Sequence, residues 1–197
     1  MELLHLRGAQ IRDWQQTLAE LRIGVFCEYP YLYEGSLDYE LDYLDTYARS
    51  ERSLCILVKD GARAVGMSTA LPLEDEDDAF VHPFIEEGIA VTSVCYFGES
   101  LLLPDYRGLG LGVRFFEMRE AHARALSGVT QAAFCAVERP VDHPRRPVDY
   151  QPLDAFWRRR GYHPHPRLYA RYAWQDIDAQ AMDHKTLRFW LKPLVPG

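Results

Sequence analysis

No apolar run in the sequence approaches the roughly 20 residues that a membrane-spanning helix needs. The first dozen residues interleave Glu2, His5, Arg7 and Arg12 with their leucines, so they hold no secretory hydrophobic segment. The expectation from both is a soluble, cytoplasmic chain with no membrane partner. There is no Cys-x-x-Cys pair. Cys27, Cys55, Cys95 and Cys135 lie far apart and mostly in apolar runs, a pattern that predicts buried free thiols rather than a redox or zinc motif. Basic residues are not in excess: 22 Lys and Arg face 29 Asp and Glu, for a net charge of -7. A general nucleic-acid binder needs a basic face, so none is expected. His163-Pro164-His165 puts two imidazoles on one strand face, but no Cys or acid stands beside them at metal-site spacing, and no metal site is expected.

What is present suits one globular domain over residues 1–197, since 48% of the residues are apolar and 26% charged. The charge is divided unevenly. Residues 1–100 carry 19 acids against 7 bases, and residues 101–197 carry 10 against 15. A two-substrate site would use such a split, with the basic half toward an anionic co-substrate and the acidic half toward a cationic acceptor. Solvated surface charge would give the same count.

The most informative stretch runs from Gly98 to Gly128. A strand ending at Pro104 is followed by Arg107-Gly108-Leu109-Gly110-Leu111-Gly112, and the chain then enters an amphipathic run to Leu126. The first N–H groups of a helix lack intrahelical acceptors and carry the positive end of the dipole, so phosphates bind there. Glycines let the backbone approach the anion, and Arg107 adds a planar fork of donors. The spacing excludes a P-loop, because no Lys-Ser or Lys-Thr follows the glycines. A dinucleotide fingerprint is excluded too, because Val113 and Phe115 stand where its last glycine would be. The pattern Arg-x-x-Gly-x-Gly entering a helix resembles the acyl-CoA signature of the GNAT superfamily of N-acyltransferases, at Arg107, Gly110 and Gly112. The segment Phe156-Trp157 to Gly161-Tyr162 is similar to a second stretch of that family, with Trp157 where the family usually has the tyrosine that protonates the leaving thiolate.

The resemblance implies an α/β fold: a mixed, mostly antiparallel sheet of six or seven strands flanked by about four helices. It also implies a pyrophosphate cradle at Arg107, Gly108, Leu109, Gly110, Leu111, Gly112 and Val113. Leu101, Leu102 and Leu103 would give main-chain contacts to the pantetheine arm and candidate oxyanion N–H donors.

Periodicity fills in the rest. Strands are expected over residues 2–6, 54–58, 62–71, 91–103, 131–137, 168–174 and 186–192, with a hairpin turn at Lys59-Asp60-Gly61. Helices are expected over 10–26, from Ser36 as N-cap to Arg49, over 79–87, over 111–126 and over 153–160. In the second helix Leu37, Leu41, Leu44 and Ala48 should face inward, and in the fourth Leu111, Phe115, Met118, His122 and Ala125. Strict alternation in the strand over 91–103 places Cys95, Phe97, Glu99 and Leu101 on one face, with Gly98 interrupting as a bulge or close approach. Glu74 to Asp78, five acids in a row, reads as a solvated loop. The final strand pair would offer a homodimer surface if its outer edge is exposed.

Acyl transfer to an amine requires a base, stabilisation of the oxyanion and departure of the thiolate. Glu99, the only acid in the strand before the glycine loop, is the candidate base, or else a solvated edge carboxylate beside a bulge. Tyr150, just before the helix that should border the thiol, is the candidate acid, with Tyr162 as the alternative. Residues 28–49 hold six of the twelve tyrosines and six acids; Glu28, Tyr31 and Tyr33 are the candidate acceptor contacts, by cation–π and Coulomb attraction, unless the rings simply pack on the core. The proline-rich segment 139–152 is a second candidate for acceptor recognition. The resulting reading is an N-acyltransferase that moves an acetyl group from acetyl-CoA directly to a primary amine of a small molecule or a protein, without a covalent enzyme intermediate. The alternative is a catalytically silent CoA-binding sensor or interaction module on the same fold.

Overall fold

The structure, a computed structural model, describes residues 1–194. Eight strands and five helices follow one another as β1 (Glu2–Leu6), α1 (Gln15–Phe26), α2 (Leu37–Arg49), β2 (Leu54–Asp60), β3 (Arg63–Pro72), α3 (Asp78–Glu86), β4 (Val94–Tyr96), β5 (Ser100–Leu102), α4 (Leu111–Ala125), β6 (Gln131–Val137), α5 (Asp154–Arg158), β7 (His163–Trp174) and β8 (Asp183–Pro193). The sheet order is β1-β2-β3-β4-β6-β8-β7, with β5 continuing the β4 position along β3. β4 and β6 are parallel, as a crossover through a helix demands, and the other described pairs are antiparallel. This is the mixed, mostly antiparallel α/β sheet expected from the sequence.

The sheet is covered on both sides. α1, α2 and α3 pack Leu18, Leu44, Tyr47 and Phe84 onto one face with Met67 and Leu71 of β3. α4 and α5 cover the other face, where Leu111 and Phe115 meet Ile56 and Val65, and Phe116 and Phe156 meet Cys95, Phe134 and Trp190. Ser36 caps α2 through its hydroxyl, which accepts from Tyr39 N–H at 3.4 Å, and Gly61, Gly88 and Gly128 take the left-handed angles that end their elements.

Several expectations change. The first helix is broken: residues Gly8–Trp14 form a 3-10 turn, and α1 begins only after Trp14 leaves helical angles. Leu37 is exposed rather than inward. On α4 the buried stripe includes Phe116, Arg119 and Ala123, while Ala125 faces solvent. The acidic run is not uniformly solvated. Asp77 caps α3, its Oδ1 accepting from Ala79 N–H at 2.8 Å, and Glu76 turns inward and is buried.

The strand over 91–103 is the largest departure. It begins as a 3-10 turn and then divides into β4 and β5. Leu71 pairs with Tyr96 and Ser68 with Ser100, so three steps of β3 oppose four steps of the other strand. That extra residue is a bulge, and it reverses the phase of the side chains. Cys95 and Phe97 face α4, whereas Leu101 joins the core beneath α1 and Glu99 meets Arg22 of α1. Gly98 is required at the bulge, because an added Cβ would lie 2.0 Å from the Tyr47 hydroxyl and 2.7 Å from Thr69 Oγ1.

Candidate active site

The bulge opens the sheet. β4 pairs with both β3 and β6, but β5 stays with β3 alone among the described strands, and a cleft runs from the gap between β5 and β6 out to the glycine loop. Leu103 N–H donates to Val65 O, and Glu99 O accepts from Thr69 N–H. In an antiparallel ladder the bonded positions alternate. Glu99 and Leu101 therefore turn their main-chain carbonyls and amides toward β3, Leu103 turns only its amide there while its carbonyl accepts from Tyr106 N–H, and Ser100 and Leu102 turn theirs into the gap. Of the three leucines, Leu102 turns its main chain into the gap, where its carbonyl accepts from Arg107 Nε. Leu101 and the Leu103 amide are committed to β3, and the other residue whose main chain faces the gap is Ser100.

The glycine loop leads straight into α4, with Gly110 as its N-cap at φ 82° and Gly108 at φ 75°. A Cβ on either would meet nothing within 4 Å, so these backbones face open space. Gly108, Gly110, Gly112, Val113 and Arg107 all line the cleft. The Leu111 side chain is buried beneath α4, the Leu109 side chain is exposed, and neither residue lines the cleft. Val113 N–H already donates to Gly110 O at 3.1 Å. This donor set, helix N–H groups beside glycines and an arginine, fits a pyrophosphate. Arg107 has partners of its own: Nε donates to Leu102 O at 3.0 Å and Nη1 to Glu28 at 2.8 Å. Glu28 thus sits at the mouth of the cleft, against the glycine loop, and not with the aromatic residues, where the sequence reading places it.

Those aromatics form a second cavity. Tyr31, Tyr33, Tyr43, Tyr172 and Trp174 wall a half-enclosed pocket that meets the cleft at Phe26, Tyr31, Gly98, Glu99 and Cys135. Tyr31 and Tyr33 both line this pocket. The Tyr31 ring stacks on Trp174 at 6.1 Å, and burial holds the Tyr31 phenol well above its ordinary pKa. The backbone beneath it is fixed by Arg139, which donates to Pro30 O at 2.8 Å and Tyr31 O at 2.7 Å while forming a two-pronged pair with Asp176. Arg139 belongs to the segment expected to recognise the acceptor; it is a buried clamp instead.

Glu99 occupies the junction of the two cavities and is 5% exposed, so it is no solvated edge carboxylate. Its Oε2 accepts from Arg22 Nη1 and from the Tyr43 hydroxyl, the latter at 3.3 Å. Its Oε1 is buried without a hydrogen-bond partner among the described residues. Arg22 also pairs with Glu40 through Nε and lies over the Tyr43 ring at 3.9 Å. Burial opposes the Arg22 charge, but attraction to Glu99, then Tyr43 and Glu40, outweighs it and holds the guanidinium well above its ordinary pKa. Arg22 was legible as an anomaly, since it stands four residues after Leu18 and one after Leu21, on the apolar stripe of its helix.

Arg119 is a second buried cation beside Glu99. It donates to Glu99 O at 3.1 Å and to Thr69 O at 3.4 Å, bracing the bulge from the α4 side, and burial lowers its pKa to about 10. Tyr150 lines the cleft, edge-on to Tyr29 at 4.7 Å, and its pKa is raised by burial and then by Tyr29. Tyr162 does not reach the cleft. It is buried, with its hydroxyl on Glu120 at 3.1 Å, which removes it as an alternative acid. Trp157 does line the cleft. His122 is structural, its Nε2 on Arg52 O at 2.8 Å. No cluster of three or more His, Cys, Asp or Glu suited to a metal is found among the described residues, and no described helix is long and apolar enough to cross a membrane.

Comparison with known proteins agrees with this architecture. The family model described as Acetyltransferase (GNAT) family matches residues 13–148. No curated protein sequence matches the chain. Among solved structures, an acetyltransferase from Thermus thermophilus is 17% identical and covers 98% of both chains at a TM-score of 0.57. The GphF GNAT-like decarboxylase in complex with isobutyryl-CoA is 14% identical over 99% of this chain and 100% of its own, TM-score 0.62. yncA of Salmonella typhimurium, a structure with acetyl-CoA, is 9% identical over 99% and 95%, TM-score 0.58. At these identities the structures share the fold with this chain.

Proposed function

The chain belongs to the GNAT family of acetyltransferases, and from that premise we propose that it transfers an acetyl group from acetyl-CoA to the primary amino group of a small, singly charged amine held in the aromatic pocket. The observation that carries this reading is Glu99: a carboxylate at the junction of cleft and pocket, with one oxygen anchored by Arg22 and the other unpartnered among aromatic walls. Two carboxylates, Glu40 and Glu99, share one arginine, so the site keeps a net negative charge and favours a cation. The aromatic walls add cation–π attraction and suit an apolar body. A substrate carboxylate would find Arg22 already engaged on both sides, so a zwitterionic amino acid is disfavoured.

In this reading Gly108, Gly110 and Gly112 and the start of α4 hold the pyrophosphate with Arg107, and the main chains of Ser100 and Leu102 hold the pantetheine arm and offer N–H groups to the developing oxyanion. Glu99 Oε1 accepts the ammonium hydrogen bond and takes one proton before the nitrogen attacks, and the second N–H proton, lost as the tetrahedral intermediate collapses, replaces the one given to the departing thiolate. Tyr150, kept protonated by its raised pKa, is the candidate donor to the departing thiolate. Cys135 stands at the junction but is a poor nucleophile, because burial pushes its thiol up to about 12. That supports direct transfer, and Cys135→Ala is expected to keep turnover within about threefold.

The test is release of free thiol from acetyl-CoA with four acceptors: 2-phenylethylamine, phenylalanine, spermidine and a short peptide with a free N-terminus. The expected kcat/KM for 2-phenylethylamine exceeds that for phenylalanine by about 100-fold or more, since the two differ only in a carboxylate that would be desolvated without a partner. Equal rates for both, or a preference for the peptide, would refute the acceptor class. Calorimetric binding of acetyl-CoA with no thiol release for any amine would favour a silent binding module.

A further inference from the structure

The hydrogen bonds of Glu99 continue beyond Arg22. The Tyr43 hydroxyl, 3.3 Å from Glu99 Oε2, lies 3.1 Å from the Tyr47 hydroxyl, which lies 3.1 Å from Glu76 Oε2. Tyr43 and Tyr47 are one turn apart on α2, which is what brings their hydroxyls together. Glu76 Oε1 accepts from Asp77 N–H at 3.2 Å, and Asp77 itself is exposed. An unbroken line of four polar groups therefore runs from the junction of the two cavities, through the core, to the buried Glu76 carboxyl next in the chain to the exposed Asp77 at the start of α3.

Three oxygen–oxygen links need three protons, and the two tyrosines supply two. With both carboxylates ionised, each hydroxyl points at its own carboxylate and the central link has none. One further proton completes all three links. It can sit on Glu76, with every donor pointing toward Glu99, or on Glu99, with every donor pointing toward Glu76. Exchange between the two arrangements moves one proton from end to end while each tyrosine gives up one proton and gains another.

We propose that this line is a proton relay, carrying the amine proton from Glu99 through Tyr43 and Tyr47 to Glu76, which delivers it to solvent beside Asp77. The inference rests on the reading of Glu99 as the base. In balance, an amine N–H bond breaks as an O–H bond forms on Glu99, and a half-turn of the carboxyl presents that proton to Tyr43. O–H bonds then break and form in turn on Tyr43 and Tyr47, and the proton ends on Glu76. Glu99 is left ionised against Arg22 for the next turnover.

The two ends are unlike. Glu99 is held by Arg22, whereas the groups facing Glu76 are Tyr47 and, behind it, Tyr43 from α2, Asp77 next in the chain, Glu99 from the bulge, Tyr96 from β4, Cys135 from β6 and Tyr172 from β7. None of these is a cation. Burial raises the Glu76 carboxyl to about 7, with Asp77 N–H and the Tyr47 hydroxyl pulling the other way. Burial also holds the Tyr43 and Tyr47 phenols well above their ordinary range, so the line passes protons without a phenolate.

Two measurements test it. Infrared titration of the protein without substrate should show a buried carboxyl losing its proton near pH 7. Its band should be absent in Glu76→Gln and displaced in Tyr47→Phe. With 2-phenylethylamine and acetyl-CoA, wild-type kcat should rise through about pH 7, because Glu76 receives a proton only when ionised. Glu76→Gln, Tyr47→Phe and Tyr43→Phe should each flatten that limb and lower kcat about tenfold, with calorimetric affinity for acetyl-CoA unchanged. A purely structural role for the tyrosines would lower kcat and leave the limb in place. Survival of the limb in Glu76→Gln, or the lack of any carboxyl titrating between about pH 6 and 8, overturns the relay. If no amine is acetylated, the acceptor reading fails on its own, and the relay is decided by the carboxyl band and its response to Tyr47→Phe.

Discussion

At the scale of single residues, the site depends on charges buried where they can be paired and on one glycine that lets them meet. Removing one partner of a buried pair leaves the other desolvated and uncompensated. Arg22→Met should therefore cost about 3 kcal/mol or more, because Glu40 and Glu99 would both lose their cation; urea unfolding measures it. Glu99→Gln keeps the shape and removes the proposed base. Its expected effect is a fall in kcat of about 100-fold or more with acetyl-CoA affinity intact, and unchanged turnover across pH would remove Glu99 from the mechanism. Gly98→Ala should be destabilising, since the added carbon would overlap the Tyr47 hydroxyl and crowd Thr69 Oγ1. Overpacking of this kind costs about 1–3 kcal/mol. Glu99 was visible in the sequence as a lone acid in an apolar strand. The partner that makes it useful was not, because Arg22 lies 77 positions away and only the fold joins them.

At the scale of elements, the glycine loop and α4 were legible almost to the residue, because glycine spacing and helix periodicity are local signals. The bulge was half legible. Gly98 marked its place, but alternation carried through it assigned Glu99 to the face with Cys95 and Phe97, and one unpaired residue reverses that assignment. The choice between Leu101, Leu102 and Leu103 as main-chain donors was beyond the sequence for the same reason, since it depends on which positions bond to β3. The glycine loop supports a direct test. Gly110→Ala places a Cβ in open space but forces a left-handed angle on alanine, a strain of about 1–2 kcal/mol. A modest fall in melting temperature should accompany a loss of acetyl-CoA affinity of about tenfold or more in calorimetry, because the cradle loses its shape as well as its access.

At the scale of the molecule, pH should act through Glu76. Folding raises its pKa from 4.5 to about 7, so the folded state favours the protonated form. Its contribution to stability is fully present below about pH 4.5 and is lost as pH rises through about 7, an effect of up to about 3 kcal/mol. Glu76→Gln should melt above the wild type near pH 8, with the gap narrowing near pH 5. The acidic run that hides Glu76 reads as solvated from composition alone, since nothing local distinguishes it from its four neighbours; the turn at Leu73–Asp75 and the cap at Asp77 select it. The charge asymmetry between the halves has a counterpart in a single contact, the ion pair between Glu28 and Arg107 at the cleft mouth. If Arg107 binds the pyrophosphate, Glu28 is a resident rival for the same guanidinium, and every binding event is an exchange of one anion for another. Such a half-exposed pair is worth at most about 1 kcal/mol. Glu28→Gln should therefore tighten acetyl-CoA by up to about fivefold, slow its product's departure to match, and give a protein whose turnover at saturating co-substrate is limited by release.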